Sequence, residues 1–374
     1  MGNPVALLTM TEAQAAMNML PRTMRAMVYR GVNDLRVETV PVPRIGPGEL
    51  LVKVAVCGVC PTDLKKIQYG TVPPPRIFGH ETAGTIVRAG ALVRRWAIGD
   101  RVALHHHVPC LQCHACRHHA FAQCPQYKRT GITAGFVPAG GGYAEYVRVM
   151  PFVFPGIVRI PPRNTFAEGA MLEPVNTVLK AIKRLQLLPA DNVLVVGQGP
   201  IGLMFTRLLT LQGMRVIASD LLGSRLVMAR GLGARGAVEA GTAGWEDLVL
   251  RLAGKQGLDG VIIAAPSDEA VRHAQEIVNG AGKVLVFAHT RRGAKTEVDL
   301  SRICVDEKDL IGSYSADVTL QVEAARWVFS RKLDVRALIS HCFTLENGRD
   351  AVDLAAKPTM TSLKVVVGEH QVGG

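Results

Sequence analysis

The chain has 374 residues, 48% of them hydrophobic, and no apolar run reaches the roughly 18 to 20 residues of a membrane span. That length points to two domains, and the 38 glycines and 21 prolines without any repeat suit a globular fold of mixed helix and strand. The net charge of +12 is scattered in pairs such as Lys65-Lys66, Arg94-Arg95, Lys183-Arg184 and Arg291-Arg292, and aromatics are only 5%, so a nucleic-acid partner is not expected.

Residues 1–23 lack the basic and apolar blocks of a secretory signal and read as a flexible extension before the strand-like run MRAMVYR at 24–30. A cytoplasmic chain is expected, in which thiols stay reduced and clustered cysteines favour metal over disulfides. Up to about residue 165 come short β-rich runs punctuated by Gly and Pro: LLVKVAVCGVC at 50–60, TAGTIVRAG at 82–90 and GGYAEYVRVM at 141–150.

Two kinds of metal site are written into this stretch. Cys110, Cys113, Cys116 and Cys124, in C-x2-C-x2-C-x7-C, supply four soft thiolates, enough to close a tetrahedral zinc site with no place for substrate. The role of such a site is structural. The nearby histidines (His105, His106, His107, His114, His118, His119) read as spare polar residues, because four thiols suffice. Cys60 in VCPTD, His80 and Glu81 in FGHETAG, and Glu173 in MLEPVNT offer the other kind: Cys, His and carboxylate around a zinc with one open position.

From about 180 to 315, strands at 192–197, 214–220, 259–265 and 282–288 alternate with amphipathic stretches, the pattern of βαβ units and a parallel sheet. NVLVVGQGPIG places Gly197, Gly199 and Gly202 between a buried strand and a helix, with Pro200 at the helix start and Gly213 at its end. Glycines there allow a tight turn and close approach of a pyrophosphate to the helix N-terminus. Asp220 ends the next strand 23 positions after Gly197, the place for a carboxylate on the adenosine ribose. Such a carboxylate repels a 2′-phosphate, so NAD is expected over NADP. The tail, 316–374, returns to mixed helix and strand and ends in SLKVVVG at 362–368.

Taken in order, C-x-[ST]-D at 60–63, G-H-E-x-x-G at 79–84, the four-cysteine lobe, GGYAEY, LEP and GQGPIG make the chain resemble the zinc-dependent medium-chain dehydrogenases, whose alcohol, sorbitol and threonine members share these motifs. The resemblance runs from MRAMVYRG to the end. It implies an α/β fold: a GroES-like β-rich catalytic domain over 24–180 and 316–374, with the zinc lobe at about 105–126, and a Rossmann doubly wound parallel-sheet domain over 181–315. It implies two zinc ions per chain, NAD, a small alcohol as substrate and a homo-oligomer, dimer or tetramer.

Matched residue by residue, the pattern makes Cys60 and His80 zinc ligands, with Glu81 or Glu173 the third and the other held near through water. Thr62 matches the hydroxyl that touches the substrate oxygen, and Asp63 a carboxylate that orients the ligands. Gly197, Gly199, Pro200, Ile201 and Gly202 form the coenzyme turn, Thr177 falls near the nicotinamide and Arg225 near the adenosine ribose. A glutamate at 173 is what the polyol, sugar and threonine branch shows, and Tyr314 matches the tyrosine of sorbitol members, whereas GSY at 312–314 lacks the arginine that they carry before it. The implied reaction is hydride transfer from a secondary alcohol of a polyol, sugar or cyclitol to NAD. A threonine-type amino-alcohol dehydrogenase and a non-catalytic NAD-binding protein are the alternatives. Lys65 stands where many members carry a relay histidine, and a solvated lysine or one paired with an anionic ligand group is the expected reading.

Overall fold

The structure is a computed structural model that describes residues 20–105, 108–126, 140–288, 293 and 295–368. Most of the N-terminal extension, together with His106 and His107, lies outside the described residues.

Six strands form one parallel sheet in the order Gly236–Glu239, Arg215–Asp220, Asn192–Val196, Leu258–Ile263, Val278–Val286, Asp309–Gly312. The central strand alternates its side chains between two cores. Val193 and Val195 join the helices Leu172–Leu185 and Pro200–Leu211 on one face, and Leu194 and Val196 join Trp245–Ala253 and Asp268–Ile277 on the other. A strand covered on both faces is apolar on both, which is why VLVV at 193–196 reads as a continuous run. Strand order reverses at Asn192–Val196, and a doubly wound sheet binds its ligands at such a switch point, outside the carboxyl ends of the strands.

The second sheet runs Ile339–Phe343, Lys364–Gly368, Leu50–Gly58, Glu81–Ala89, Arg101–Leu104, Val158–Arg159, with Tyr146–Val149 also paired to Leu50–Gly58. Its pairs are antiparallel except Ile339–Phe343 with Lys364–Gly368. A smaller sheet holds Asp34–Pro41, Thr23–Gly31 and Arg76–Ile77. Val56, Ala83 and Ala103 of the antiparallel sheet share one buried core with Leu172, Val175 and Val178 and with the parallel sheet's Val193 and Val195. The helix Leu172–Leu185 therefore belongs to the packing of both.

Three elements differ from expectation. The first strand begins at Thr23, so the end of the extension is already paired. GGYAEYVRVM is a strand only over Tyr146–Val149, because Gly142 and Tyr143 donate their N–H groups to Gly79 O and Phe78 O and cover that turn instead. A side chain at Gly141 would collide with Phe78 O, which explains the glycine. The strand expected at 282–288 starts at Val278, with a register shift opposite Leu258–Gly260. No helix among the described residues is long and apolar enough to cross a membrane.

Candidate active site

Antiparallel pairing of Gly58 with Glu81 sets the register that brings two distant sequence motifs together. Just past Gly58 the chain turns into the helix Pro61–Tyr69, with Cys60 as its N-cap and Pro61 pre-set for the first turn. His80 and Glu81 open the facing strand. The ligand atoms of Cys60, His80 and Glu81 all lie within 4.8 Å of one another. Glu173, near the start of Leu172–Leu185, lines the same cavity outside that group of three. A carboxylate, an imidazole and a thiol this close are the donor set of a zinc site that keeps a position open.

The surroundings hold these groups in place. His80 Nδ1 lies 3.2 Å from Asp63 Oδ2, the kind of partner that fixes a ligand imidazole's orientation. Asp63 is wholly buried. Burial opposes its charge, but His80 and Lys66 outweigh it and hold the carboxyl below its ordinary pKa. Burial likewise opposes a charged His80, yet Asp63 and the Cys60 thiol carry its pKa well above the ordinary value. Tyr143 OH donates to Gly58 O at 3.3 Å and to Asp63 Oδ2 at 3.4 Å. Glu81 is gripped by Lys364, whose Nζ lies 2.5 Å from both carboxylate oxygens and donates to Val59 O at 3.0 Å. A Cβ on Gly58 would collide with Glu81 Oε2, so only glycine leaves room for that carboxylate. Burial pushes Glu173 up to about 7, although His80 opposes the shift. Cys57 is a buried thiol beside Thr82, pushed by burial to about 12, and takes no part in the cluster.

The four-cysteine lobe is built differently. Sulfur separations are 3.5 Å for Cys113–Cys116, 3.6 Å for Cys110–Cys124 and 3.9 Å for Cys110–Cys116. A tetrahedron of Zn–S bonds of about 2.3 Å has edges of roughly 3.8 Å, so the sulfurs stand where a zinc ion would need them. N–H groups of Gln112 and Cys113 lower the Cys110 thiol to about 6, whereas burial pushes Cys116 up to about 12. His114, His118 and His119 are exposed, as expected of spare polar residues, and buried His105 pairs instead with Gln321 at 3.3 Å.

Beside the Cys60 cluster lies the nucleotide turn. Gly197 has φ +90, and a Cβ on Gly202 would collide with Gly197 O, so both positions demand glycine. A Cβ on Gly199 would meet nothing within 4 Å, which leaves open space at the N-terminus of Pro200–Leu211, where Pro200 takes the first turn. Gly213, at φ +91, ends that helix. Asp220 accepts from Gln198 N–H at 2.5 Å and from Leu222 N–H at 2.9 Å, and Arg225 Nη1 lies 3.8 Å away. The Gln198 side chain is wholly buried and braces the turn between Val195 O and Thr206 Oγ1. A cavity of about 430 Å³ takes in Cys60, Thr62, His80, Glu81 and Glu173 together with Thr177, Gly197, Gly199, Ile201, Asp220 and Arg225. Lys65 forms part of its wall, half-buried, and that burial lowers its pKa.

A family model described as alcohol dehydrogenase GroES-like domain matches residues 46–161, and one described as zinc-binding dehydrogenase matches residues 200–330. The sorbitol dehydrogenase of Bombyx mori is 31% identical over 343 residues, covering 88% of this chain and 94% of that one. The chain belongs to the zinc-dependent medium-chain dehydrogenase family. The sorbitol dehydrogenase of Bacillus subtilis (strain 168) is another relative, 28% identical over 355 residues and covering 93% and 98% of the two chains. Among solved structures, a Sinorhizobium meliloti 1021 protein assigned as a zinc-binding dehydrogenase and bound to NADP superposes with a TM-score of 0.84 at 28% identity, over 93% of this chain and 99% of that one. The medium-chain dehydrogenases are oxidoreductases with a GroES-like and a Rossmann domain, and the two sheets of this chain are those two folds.

Sequence reading missed Lys364, Asn176 and Gln198. Lys364 carried a signal, a charged residue inside the apolar run LKVVVG, where an unpaired ammonium could not be buried. Asn176 and Gln198 carried none, since an amide in a helix or turn looks the same whether it braces a loop or faces water.

Proposed function

We propose that the protein oxidises a secondary alcohol of a polyol, sugar or cyclitol, passing hydride to NAD⁺, with two zinc ions per chain and as a homo-oligomer. One observation carries the reading: a single cavity holds both an open Cys-His-carboxylate set and a glycine turn ending at a ribose-reading carboxylate. In this reading the GroES-like domain spans 24–180 and 316–374 and the Rossmann domain 181–315. Cys60, His80 and Glu81 hold the metal of the cleft, Glu173 stands beside its open position, and the four cysteines of the lobe hold the second ion.

Zinc supplies a Lewis acid for the substrate hydroxyl, and NAD the acceptor for hydride. The chain's own residues do the rest. Asp63 accepts the Nδ1 proton of His80 and so aims Nε2 at the cavity. Lys364 fixes the Glu81 carboxylate. The Thr62 hydroxyl lines the pocket as hydrogen-bond partner for the alcohol oxygen, and Val59, Pro174, Ile201 and Phe287 present apolar walls that exclude water. Asp220, its two oxygens already set by Gln198 and Leu222 N–H groups, receives ribose hydroxyls and disfavours a 2′-phosphate.

A panel of polyols, sugars, cyclitols and amino alcohols with NAD⁺, read as NADH absorbance, tests this. Turnover of a polyol, sugar or cyclitol above threonine-type amino alcohols is expected, with NAD⁺ well ahead of NADP⁺ and the gap narrowed by Asp220→Ala. Preference of the unmutated protein for NADP⁺ would contradict the coenzyme assignment.

A further inference from the structure

The helix Leu172–Leu185 serves the cavity with two sets of side chains. Glu173 and Thr177 line it directly, and Thr177 donates its hydroxyl to Pro174 O at 2.8 Å. Asn176 and Lys180, four residues apart and so on one side of the helix, bond instead to the segment 313–317. That segment follows the strand Asp309–Gly312 at the edge of the parallel sheet, and Ser313 N–H donates to Val286 O at 3.4 Å. Its residues Ser313, Tyr314 and Ser315 line the cavity at the carboxyl ends of the strands.

Two anchors hold the segment. Lys180 Nζ donates to Tyr314 O at 2.9 Å. Asn176 reads Asp317 at both backbone atoms, donating to its carbonyl at 2.9 Å and accepting from its N–H at 2.8 Å. The same amide donates to Gln321 Oε1 at 2.9 Å, which also lies 3.3 Å from His105 Nδ1. Asn176, Gln321 and His105 are almost completely buried, so this network is a fixed point. Between the anchors, Ser315 holds φ +62, a left-handed backbone that a non-glycine residue keeps only where its surroundings enforce it. Lys180 is itself half-buried. Burial lowers its pKa, although Asp317 favours the charge.

A half-buried ammonium, a bidentate amide and an enforced left-handed residue converge on one short stretch of cavity wall. In a doubly wound sheet the second half of the crevice takes the second mononucleotide of the coenzyme, and this wall stands there. We infer that Lys180 and Asn176 are positioning residues for the nicotinamide end of the coenzyme: they fix residues 313–317, so that one helix sets two walls of the site. The inference rests on the coenzyme reading above and adds the residues that shape its reactive end.

NADH titration of the zinc-loaded full chain, followed by fluorescence, tests it together with steady-state kinetics. Lys180→Met is expected to weaken NADH binding about tenfold, the loss of one charge-assisted hydrogen bond, and to raise KM for NAD⁺ by a similar factor. KM for the alcohol should change less than about twofold, and Lys180→Arg, which can still donate to Tyr314 O, should restore NADH binding to within about threefold. Lys180→Gln serves the same comparison if the methionine variant does not fold. A lowered Tm with NADH affinity unchanged overturns the inference, as does a rise confined to KM for the alcohol. Failure of the unmutated chain to bind NADH overturns the coenzyme reading itself, and this inference with it.

Discussion

The two cysteine-bearing clusters differ in what holds them. Among the described residues, the apolar cluster around Cys110, Cys113, Cys116 and Cys124 consists of Phe121 and the cysteines themselves. Cys60, His80 and Glu81 sit instead between two large cores, and Asp63, Tyr143 and Lys364 orient them by hydrogen bonds and ion pairs. In the proposed reading the four thiols need an ion to complete their core, whereas hydrogen bonds and ion pairs already orient the residues of the cleft. In that reading, the metal of one region supports folding and the metal of the other supports reaction.

Exchanging the roles is the strongest way to break that contrast. Cys60→Ala should reduce turnover by at least about a thousandfold and remove one zinc while leaving Tm nearly unchanged. Cys113→Ser should show the converse: loss of the lobe's zinc, early proteolysis near residues 110–124 and a large fall in Tm. Metal analysis with thermal melts reads both, and the reverse pattern would exchange the two assignments.

The ion pair beneath the cleft gives a smaller effect. Lys364→Met leaves the Glu81 carboxylate buried without its ammonium and should cost about 3 kcal/mol in urea unfolding. A change below about 0.5 kcal/mol would show that the pair does not organise the cluster.

Smaller still is the support of the short helix Phe166–Ala170, which precedes the one that carries Glu173. Glu168 closes a capping box with Thr165 and accepts from Asn164 at 2.8 Å and Arg331 at 3.0 Å. Burial opposes its charge, but Arg331, the Thr165 N–H and Asn164 together hold its pKa below the ordinary carboxyl value. A depressed folded pKa means that the stabilisation is complete above the unfolded value, about 4.3, and is lost as pH falls through the folded one. Glu168→Gln should therefore cost about 2 kcal/mol at pH 7, and its Tm should approach that of the unmutated chain below about pH 4. A gap in Tm independent of pH would contradict the assignment.

Sequence reading succeeded where chemistry requires particular residues at close spacing. Close spacing made the four-cysteine set and the glycine turn legible, and the structure brings the four sulfurs together and leaves open space at Gly199. What it left open depended on register between segments far apart in the chain. Glu81 and Glu173 were equal candidates until the Gly58–Glu81 pairing put one beside Cys60 and His80. Lys364 meets Glu81 across 283 positions, and Asn176 meets Asp317 across 141. No local pattern records such meetings, because they arise from how the two sheets pack about the helix Leu172–Leu185.

The central claim is that an open zinc site in the cleft does the chemistry while a closed one holds the lobe. Stepwise zinc removal by a chelator at neutral pH, with bound zinc, alcohol oxidation rate and far-UV circular dichroism followed in the same samples, tests it most directly. The account predicts that the rate falls in proportion to the first ion lost, reaching zero with one zinc remaining and the dichroism unchanged. Full activity after loss of the first ion, or unfolding in step with it, would contradict the account.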